Sequence, residues 1–213
     1  MNVAQLKRIA GFYGRVLASF TQIGCNARRM GWSQPKMDFG GQRLRSGTMR
    51  PAMPTPDNIL DLPALITVTI PPEWEDMNGH VNVQHYLALY DQAGWPMLER
   101  LGIDPNYFLN ERQGFFDLEH HVWYLAEMHI GDQVSAHVRV LARSEKRLHG
   151  LVFLVNVTRC QLSSVVEFVA TGADLESRRT AALPDAVAAR LDELIAAHDG
   201  LGWQAPRCGV MSA

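Results

Sequence analysis

The sequence predicts an α+β domain in which one long helix packs against a five-stranded antiparallel sheet. A short β-branched stretch precedes a segment of about 19 residues with helical periodicity, and four longer strand-like stretches follow. Only short connections separate these later stretches, which favours antiparallel pairing. The helix would bury one face of the sheet, so the other face needs separate cover.

The first strand and the long helix have clear boundaries in the sequence. The strand is predicted at Leu65–Ile70, whose sequence LITVTI is rich in β-branched residues and is followed by Pro71-Pro72. The helix is predicted from about Val83 to Leu101, with a kink or a break at Pro96. Its apolar face has spacings of one, three and four residues and consists of Tyr86, Leu87, Tyr90, Ala93, Met97 and Leu101.

Four further strands and a terminal helix complete the predicted domain. The strands are expected at about Phe115–Leu125, Gln133–Ala142, Gly150–Gln161 and Val165–Leu175. Because their connections are short, we expect an antiparallel meander. Pro184–His198 begins with proline and has apolar residues at helical spacing, which predicts a C-terminal amphipathic helix.

Charge divides the chain into two unlike parts. Residues 1–57 contain nine basic and two acidic side chains, a net charge of +7, whereas residues 58–213 contain 11 basic and 20 acidic ones, a net charge of −9. The first part fits a basic organelle-targeting leader, and it equally fits an over-extended reading frame whose true start is Met49 or Met53. We predict a disordered basic extension over residues 1–57, a folded domain over residues 58–205 and a tail over residues 206–213.

Several classes of function are disfavoured by the sequence. The total charge of −2 argues against a nucleic-acid partner, and no uncharged apolar run reaches the roughly 18 residues of a membrane helix. Glycine-rich phosphate loops, G-x-S-x-G, C-x-x-C and H-E-x-x-H do not occur. The adjacent His120 and His121 would point to opposite faces of a strand, which makes them poor joint ligands. We predict no metal site, no separate cofactor and a cytoplasmic location, or an organelle matrix if the leader is genuine.

The densest polar cluster, residues 73–82, lies between the first strand and the long helix. Asn78-Gly79 predicts a turn that needs a positive φ, and Asn82 is placed as the N-cap of the helix. A loop that ends at a helix start presents free N–H groups and the positive end of the helix dipole. Gly79 to Val83 are therefore candidate donors to an oxyanion, with Asp76 beside them as base or nucleophile. The same residues can also do no more than satisfy a tight turn and a cap.

Two ordered motifs resemble those of one enzyme family. Asp76-Met77-Asn78-Gly79-His80-Val81-Asn82, followed by Tyr86-Leu87, resembles the D-x-x-G-H-V-N-x-x-x-Y-L signature of hotdog-fold acyl-CoA thioesterases similar to 4-hydroxybenzoyl-CoA thioesterase. A second motif, Y-L followed by G-D-x-V, is similar to Tyr124-Leu125 and Gly131-Asp132-Gln133-Val134. The resemblance spans about residues 60–200 and implies a hotdog fold, hydrolysis of an acyl-CoA to the free acid and CoA, and a homodimer or homotetramer. Val83 and Gly94-Trp95 depart from the family pattern, where asparagine and arginine are common.

A narrower resemblance concerns the acyl group. Glu119-x-His121-x-x-Tyr124, Lys146-Arg147-Leu148-His149 and the segment 178–184 are similar to carnitine-pathway thioesterases that act on betainyl-CoA. This implies a small or polar acyl group. Two alternatives stay open on the same fold: an acyl-thioester hydratase or dehydratase, which needs a placed Asp and His pair, and a non-catalytic acyl-CoA-binding module.

The remaining candidate residues belong to three predicted elements. His80 fits three roles equally: it orients the Asp76 carboxylate, donates to it through its backbone, or is simply packed beside Gly79. Asp91 on the helix is the alternative catalytic acid. Glu119 and His121 stand two apart on a strand and so share a face, which is either a pocket wall or a polar dimer interface. The residues expected to bind substrate are Tyr86, Glu119, His121 and Trp123. A basic turn between two predicted strands is expected to bind the coenzyme A phosphates, and it consists of Arg143, Lys146 and Arg147. The same residues equally fit an exposed charged hairpin.

Overall fold

The computed structural model describes residues 51–213, except the side chains of Pro105, Asn106 and Leu109. The helices of this part are α1 (Pro56–Leu60), α2 (Gln84–Arg100), α3 (Pro105–Asn110) and α4 (Asp185–Asp199). The strands are β1 (Ala64–Thr69), β2 (Gln113–Tyr124), β3 (Gln133–Arg143), β4 (Arg147–Asn156), β5 (Gln161–Asp174) and β6 (Arg179–Thr180). None of the described helices has the length and apolar content that a bilayer span requires. Most of the predicted basic extension, residues 1–50, lies outside the described residues.

The strands form one antiparallel sheet in the order β1-β3-β4-β5-β2, with the short β6 paired to β5. This confirms the α+β class and the presence of each predicted strand. The predicted boundary between the last two long strands is wrong, because residues 157–160 form the turn and β5 already begins at Gln161. The predicted meander holds for β3, β4 and β5, but it is wrong for β2, which pairs with β5 rather than with β3. The residues between β2 and β3, 125–132, form no tight hairpin turn, so these two strands are free to separate. As a result β2 is an edge strand.

The inner face of the sheet packs against α2. The helix buries Tyr86, Leu89, Ala93 and Met97 against inward side chains of the sheet such as Val152. Leu87, which was predicted on this apolar face, is exposed instead. The helix is also not broken at Pro96, because it runs without interruption from Gln84 to Arg100.

A second core lies on the outer face of the sheet. It joins Ile59 of α1 to strand residues such as Leu151 and Phe153, and the Trp203 ring packs edge-on against Phe153 at a centroid distance of 5.6 Å. Met211, in the predicted tail, is also buried. The segments before β1 and after α4 therefore supply the cover that the outer face needs. Burial on both faces explains why β4 and β5 are apolar along most of their length.

A buried histidine–glutamate pair lies on this outer face and was not predicted from the sequence. His149 Nε2 in β4 lies 2.8 Å from Glu167 Oε1 in β5, and both side chains are almost completely buried. The backbone N–H of Cys208 donates to the other carboxylate oxygen at 2.6 Å. Burial by itself would raise the pKa of Glu167, but the hydrogen bonds from His149 and Cys208 outweigh it and lower that pKa. Glu167 thereby fastens the C-terminal segment to the sheet.

Candidate active site

The polar cluster folds into a tight turn directly before α2. The Asp76 N–H donates to the His80 carbonyl at 2.8 Å, and the Gly79 N–H donates to the Asp76 carbonyl at 3.1 Å. Gly79 has a φ of 77°, which an L side chain adopts only with strain. The predicted Asn78-Gly79 turn is confirmed.

The Asp76 carboxylate is held by the backbone of its own turn. Its Oδ1 accepts from the Asn78 N–H at 2.8 Å and, more weakly, from the His80 N–H at 3.4 Å. These bonds, the Asn78 bond first, hold the pKa of Asp76 below its ordinary value. The side chain is partly exposed. Asp76 is therefore an ionised carboxylate at neutral pH that a ligand can reach.

The start of α2 leaves one predicted oxyanion donor available. Asn82 Oδ1 accepts from the Gln84 N–H at 3.1 Å, although the N-cap position itself is Val83, one residue later than predicted. The Gly79 N–H is used inside the turn, whereas the Val83 N–H has no hydrogen-bond partner among the described residues. Val83 thus offers a free donor at the positive end of the helix dipole, in the turn that follows Asp76.

The two ends of the turn are fixed by different contacts. At the start, the Trp74 ring stacks on His85 of α2, with centroids 4.4 Å apart and planes 4° from parallel. Near the end, the Val81 N–H donates to the Met128 carbonyl at 3.1 Å. The His80 imidazole lies 3.2 Å from Glu127 rather than on the Asp76 carboxylate, so only its backbone contacts Asp76.

The predicted substrate residues lie on two different faces of the sheet. Tyr86 is buried on α2, and its ring meets Tyr124 edge-on with centroids 5.2 Å apart. Glu119, His121 and Trp123 share a face, as predicted, and they stand opposite Val169, Glu167 and Val165 of β5. That is the outer face, where Trp123 packs on the second core. Within one chain these three are not brought to the Asp76 turn, and their role in substrate binding stays a prediction.

The basic residues of the β3–β4 turn differ in availability. Arg143 makes a two-point ion pair with Asp192 of α4, including a 2.7 Å hydrogen bond from its Nε. That partner raises the pKa of Arg143. Lys146 and Arg147 are exposed, and their side chains make no ion pair within the described residues. Contact with coenzyme A phosphates stays a prediction, and these two are the cations left for it.

A second polar group lies beside α2 and was not predicted from the sequence. The Tyr90 hydroxyl donates to Asp117 Oδ1 at 2.9 Å, and His120 Nε2 lies 3.3 Å from Asp117 Oδ2. Partial burial, and then the charge of Asp117, raise the pKa of Asp91. This group depends on β2 lying alongside β5, which brings its inner face to α2. Asp91, the alternative acid, therefore lies in a separate network from Asp76.

Comparison with known protein families assigns the chain to one of them. Residues 70–191 match the family model of the thioesterase-like superfamily. The chain belongs to this superfamily. Membership confirms the resemblance seen in the two sequence motifs, and with it the hotdog arrangement of a curled antiparallel sheet on a long helix.

Proteins of related sequence agree with this assignment. The chain is 29% identical over 130 residues to a betainyl-CoA thioesterase of Pseudomonas aeruginosa, covering 61% of this chain and 82% of that protein. It is 24% identical over 186 residues to an L-carnitine dehydrogenase/betainyl-CoA thioesterase of a Rhizobium species, covering 87% of this chain. The matched part spans only 33% of that Rhizobium protein.

Solved structures share the fold at low identity. A Staphylococcus aureus protein solved in complex with CoA superimposes with a TM-score of 0.62 at 22% identity, over 67% of this chain and 90% of that chain. A 1,4-dihydroxy-2-naphthoyl-CoA thioesterase from Synechocystis gives a TM-score of 0.54 at 15% identity, over 61% of this chain and 95% of that chain.

Proposed function

We propose that the protein is an acyl-CoA thioesterase that hydrolyses its substrate at the Asp76 turn. One observation carries the proposal: an ionised, reachable carboxylate precedes a helix start whose Val83 N–H has no partner within residues 51–213. A thioesterase needs both parts, a group that delivers oxygen to the carbonyl carbon and a donor for the charge on the carbonyl oxygen. The thioesterase-like superfamily supports this assignment.

In the proposed reaction the thioester carbonyl oxygen accepts from the Val83 N–H, near the positive end of α2. Asp76 attacks the carbonyl carbon, the C–S bond breaks and CoA leaves as the thiolate, which gives a mixed anhydride. Water then opens the anhydride to the free acid and restores the carboxylate. The lowered pKa of Asp76 keeps its carboxylate ionised, which both direct attack and activation of a water molecule require.

We assign the acyl group to the small cationic class, with betainyl-CoA as the model substrate. The names of the Pseudomonas and Rhizobium relatives support this choice. Aromatic faces beside the turn support it too: Tyr124 is 49% exposed and meets Tyr86 edge-on, and Trp74 flanks the start of the turn. Such faces attract a quaternary ammonium group by about 0.5–2 kcal/mol.

A panel of acyl-CoA substrates tests this function. Release of CoA, followed with a thiol reagent, should be fastest with betainyl-CoA. The matched control is 3,3-dimethylbutanoyl-CoA, in which carbon replaces the ammonium nitrogen without change of shape; we expect kcat/KM about tenfold lower for it. Equal rates for the two would refute the cationic assignment. A hydrated thioester without CoA release indicates the hydratase alternative, and tight binding without turnover indicates a binding module.

We also propose a homodimer joined along β2. This edge strand has 12 residues and exposes Phe116 and Leu118 by 41% and 51%. A long, partly apolar edge is prone to pair with another strand, and a second copy is the partner always present. Sedimentation velocity should show a dimer, while Leu118→Lys should shift the protein towards the monomer. An active monomer in the wild type would contradict this.

We further propose that the enzyme works in the cytoplasm or in an organelle matrix, and that its reaction needs no separate cofactor.

A further inference from the structure

The connection between β2 and β3, residues 125–132, packs against the turn that carries Asp76. The Val81 N–H bond to the Met128 carbonyl, at 3.1 Å, joins the two segments. Glu127 and His129 flank Met128 in this connection. Their side chains point towards His80, which belongs to the turn. Hydrolysis as proposed above uses neither Glu127 nor His129.

The three side chains converge on one point. His80 Nε2 lies 3.2 Å from Glu127 Oε2, and His129 Nε2 lies 3.8 Å from the same oxygen. One ligand atom from each residue fits within a mutual distance of 4.8 Å. The two imidazole rings meet at 83° with centroids 5.8 Å apart, so they approach that point from different directions.

We propose that His80, Glu127 and His129 form a binding site for one divalent transition metal ion, with Zn²⁺ as the expected occupant. Two neutral imidazoles and a carboxylate are a donor set that Zn²⁺ accepts, and a water molecule completes the tetrahedron. Tetrahedral ligands at about 2.0–2.2 Å from the metal lie about 3.3–3.6 Å apart. The two histidine–carboxylate separations here, 3.2 and 3.8 Å, are close to that range. The three side chains are 36–38% exposed, which leaves the ion a path from solvent.

The surroundings of His129 support metal binding through its Nε2. Its Nδ1 is buried and has no hydrogen bond within the described residues, but it lies 3.8 Å from Asp132 Oδ2. Asp132 is itself held by Arg159 and Asn156. A metal on Nε2 requires a proton on Nδ1, and a carboxylate beside that proton is the usual outer partner of a metal-bound histidine.

Occupation of this site would fasten the Asp76 turn to residues 125–132. An ion that binds the folded chain and not the unfolded one stabilises the fold. The inference goes beyond the proposed hydrolysis, because no step of that reaction passes through the metal.

Metal titration of the full-length chain tests the site. After removal of metal with a chelator, Co²⁺ should bind once per chain with the visible absorption of a tetrahedral site, and Zn²⁺ should displace it. His129→Ala and Glu127→Ala should each weaken binding at least about tenfold and abolish the rise in melting temperature that Zn²⁺ produces. Neither residue belongs to the proposed catalytic group.

The matched control is His120→Ala. It removes a histidine that also faces a carboxylate, Asp117, at 3.3 Å, but in the described part of the chain no third metal-ligating side chain joins that pair. Affinity for Co²⁺ should be unchanged in this variant. The site is refuted if the wild type binds no ion, if His129→Ala binds like the wild type, or if the bound Co²⁺ shows the intense near-ultraviolet band of cysteine ligation.

Discussion

Asp76→Asn and Asp76→Ala proteins are expected to lose about 10³-fold in kcat for acyl-CoA hydrolysis while their circular dichroism spectra stay unchanged. Asparagine keeps an oxygen that can accept from the Asn78 N–H, so it preserves the turn and removes only the charge. Alanine removes both. Similar losses in the two variants would show that the ionised carboxylate, and not the shape of the turn, is what the reaction needs.

A matched control exists at Asp174, at the end of β5. Its Oδ1 accepts from the Glu176 and Ser177 N–H groups at 2.8 and 2.9 Å, and these bonds lower the pKa of Asp174 as the Asn78 bond lowers that of Asp76. Asp174→Asn removes an equivalent turn carboxylate away from the α2 N-terminus. We expect its kcat to stay within about twofold of the wild type. Wild-type turnover by Asp76→Asn would overturn the assigned chemistry.

Glu167→Ala is expected to lower the free energy of unfolding by about 3–5 kcal/mol. The change leaves His149 buried without its partner and leaves the Cys208 N–H without an acceptor. For a chain of this size each kcal/mol corresponds to a fall of about 2–4 °C in Tm. Urea unfolding followed by tryptophan fluorescence measures the loss.

Two further variants separate the ion pair from general damage to the core. The double variant His149→Leu/Glu167→Leu should recover much of the stability, because apolar side chains of similar volume avoid an unpaired buried charge. Glu193→Ala, on the solvent side of α4, should change stability by less than about 0.5 kcal/mol. Trypsin should cut after Arg207 faster in Glu167→Ala, since the next residue has lost its anchor. Unchanged unfolding of Glu167→Ala would show that the pair contributes no stability.

Local patterns in the sequence predict most of the fold and the core of the candidate site. The spacing of Tyr86, Ala93 and Met97 defines the buried stripe of α2, and Asn78-Gly79 defines the turn that presents Asp76. Both depend on neighbours within a few residues, where propensity and periodicity are decisive. The same holds for β3, β4 and β5, whose short connections determine their pairing.

What could not be predicted depends on contacts between distant segments. Alternation along β2 places Glu119 and His121 on one face, but which face meets α2 is decided by pairing with β5. His80 and Glu127 meet only because the β2–β3 connection returns to the turn before α2. The Glu167 contact with residue 208 likewise requires a chain end to cross the sheet. Sequence periodicity contains no information about such contacts between distant segments.

The double cover of the sheet sets the limits of the smallest fragment that can fold. The family match begins at residue 70 and ends at residue 191, so a fragment cut to those limits lacks all of β1 and the last turns of α4. It also strips Ile59 and Trp203 from the outer face. The homologous segment and the cooperative folding unit are therefore different stretches of the chain. Excision for biochemistry, or fusion to another domain, should keep everything from about Met53 to Met211.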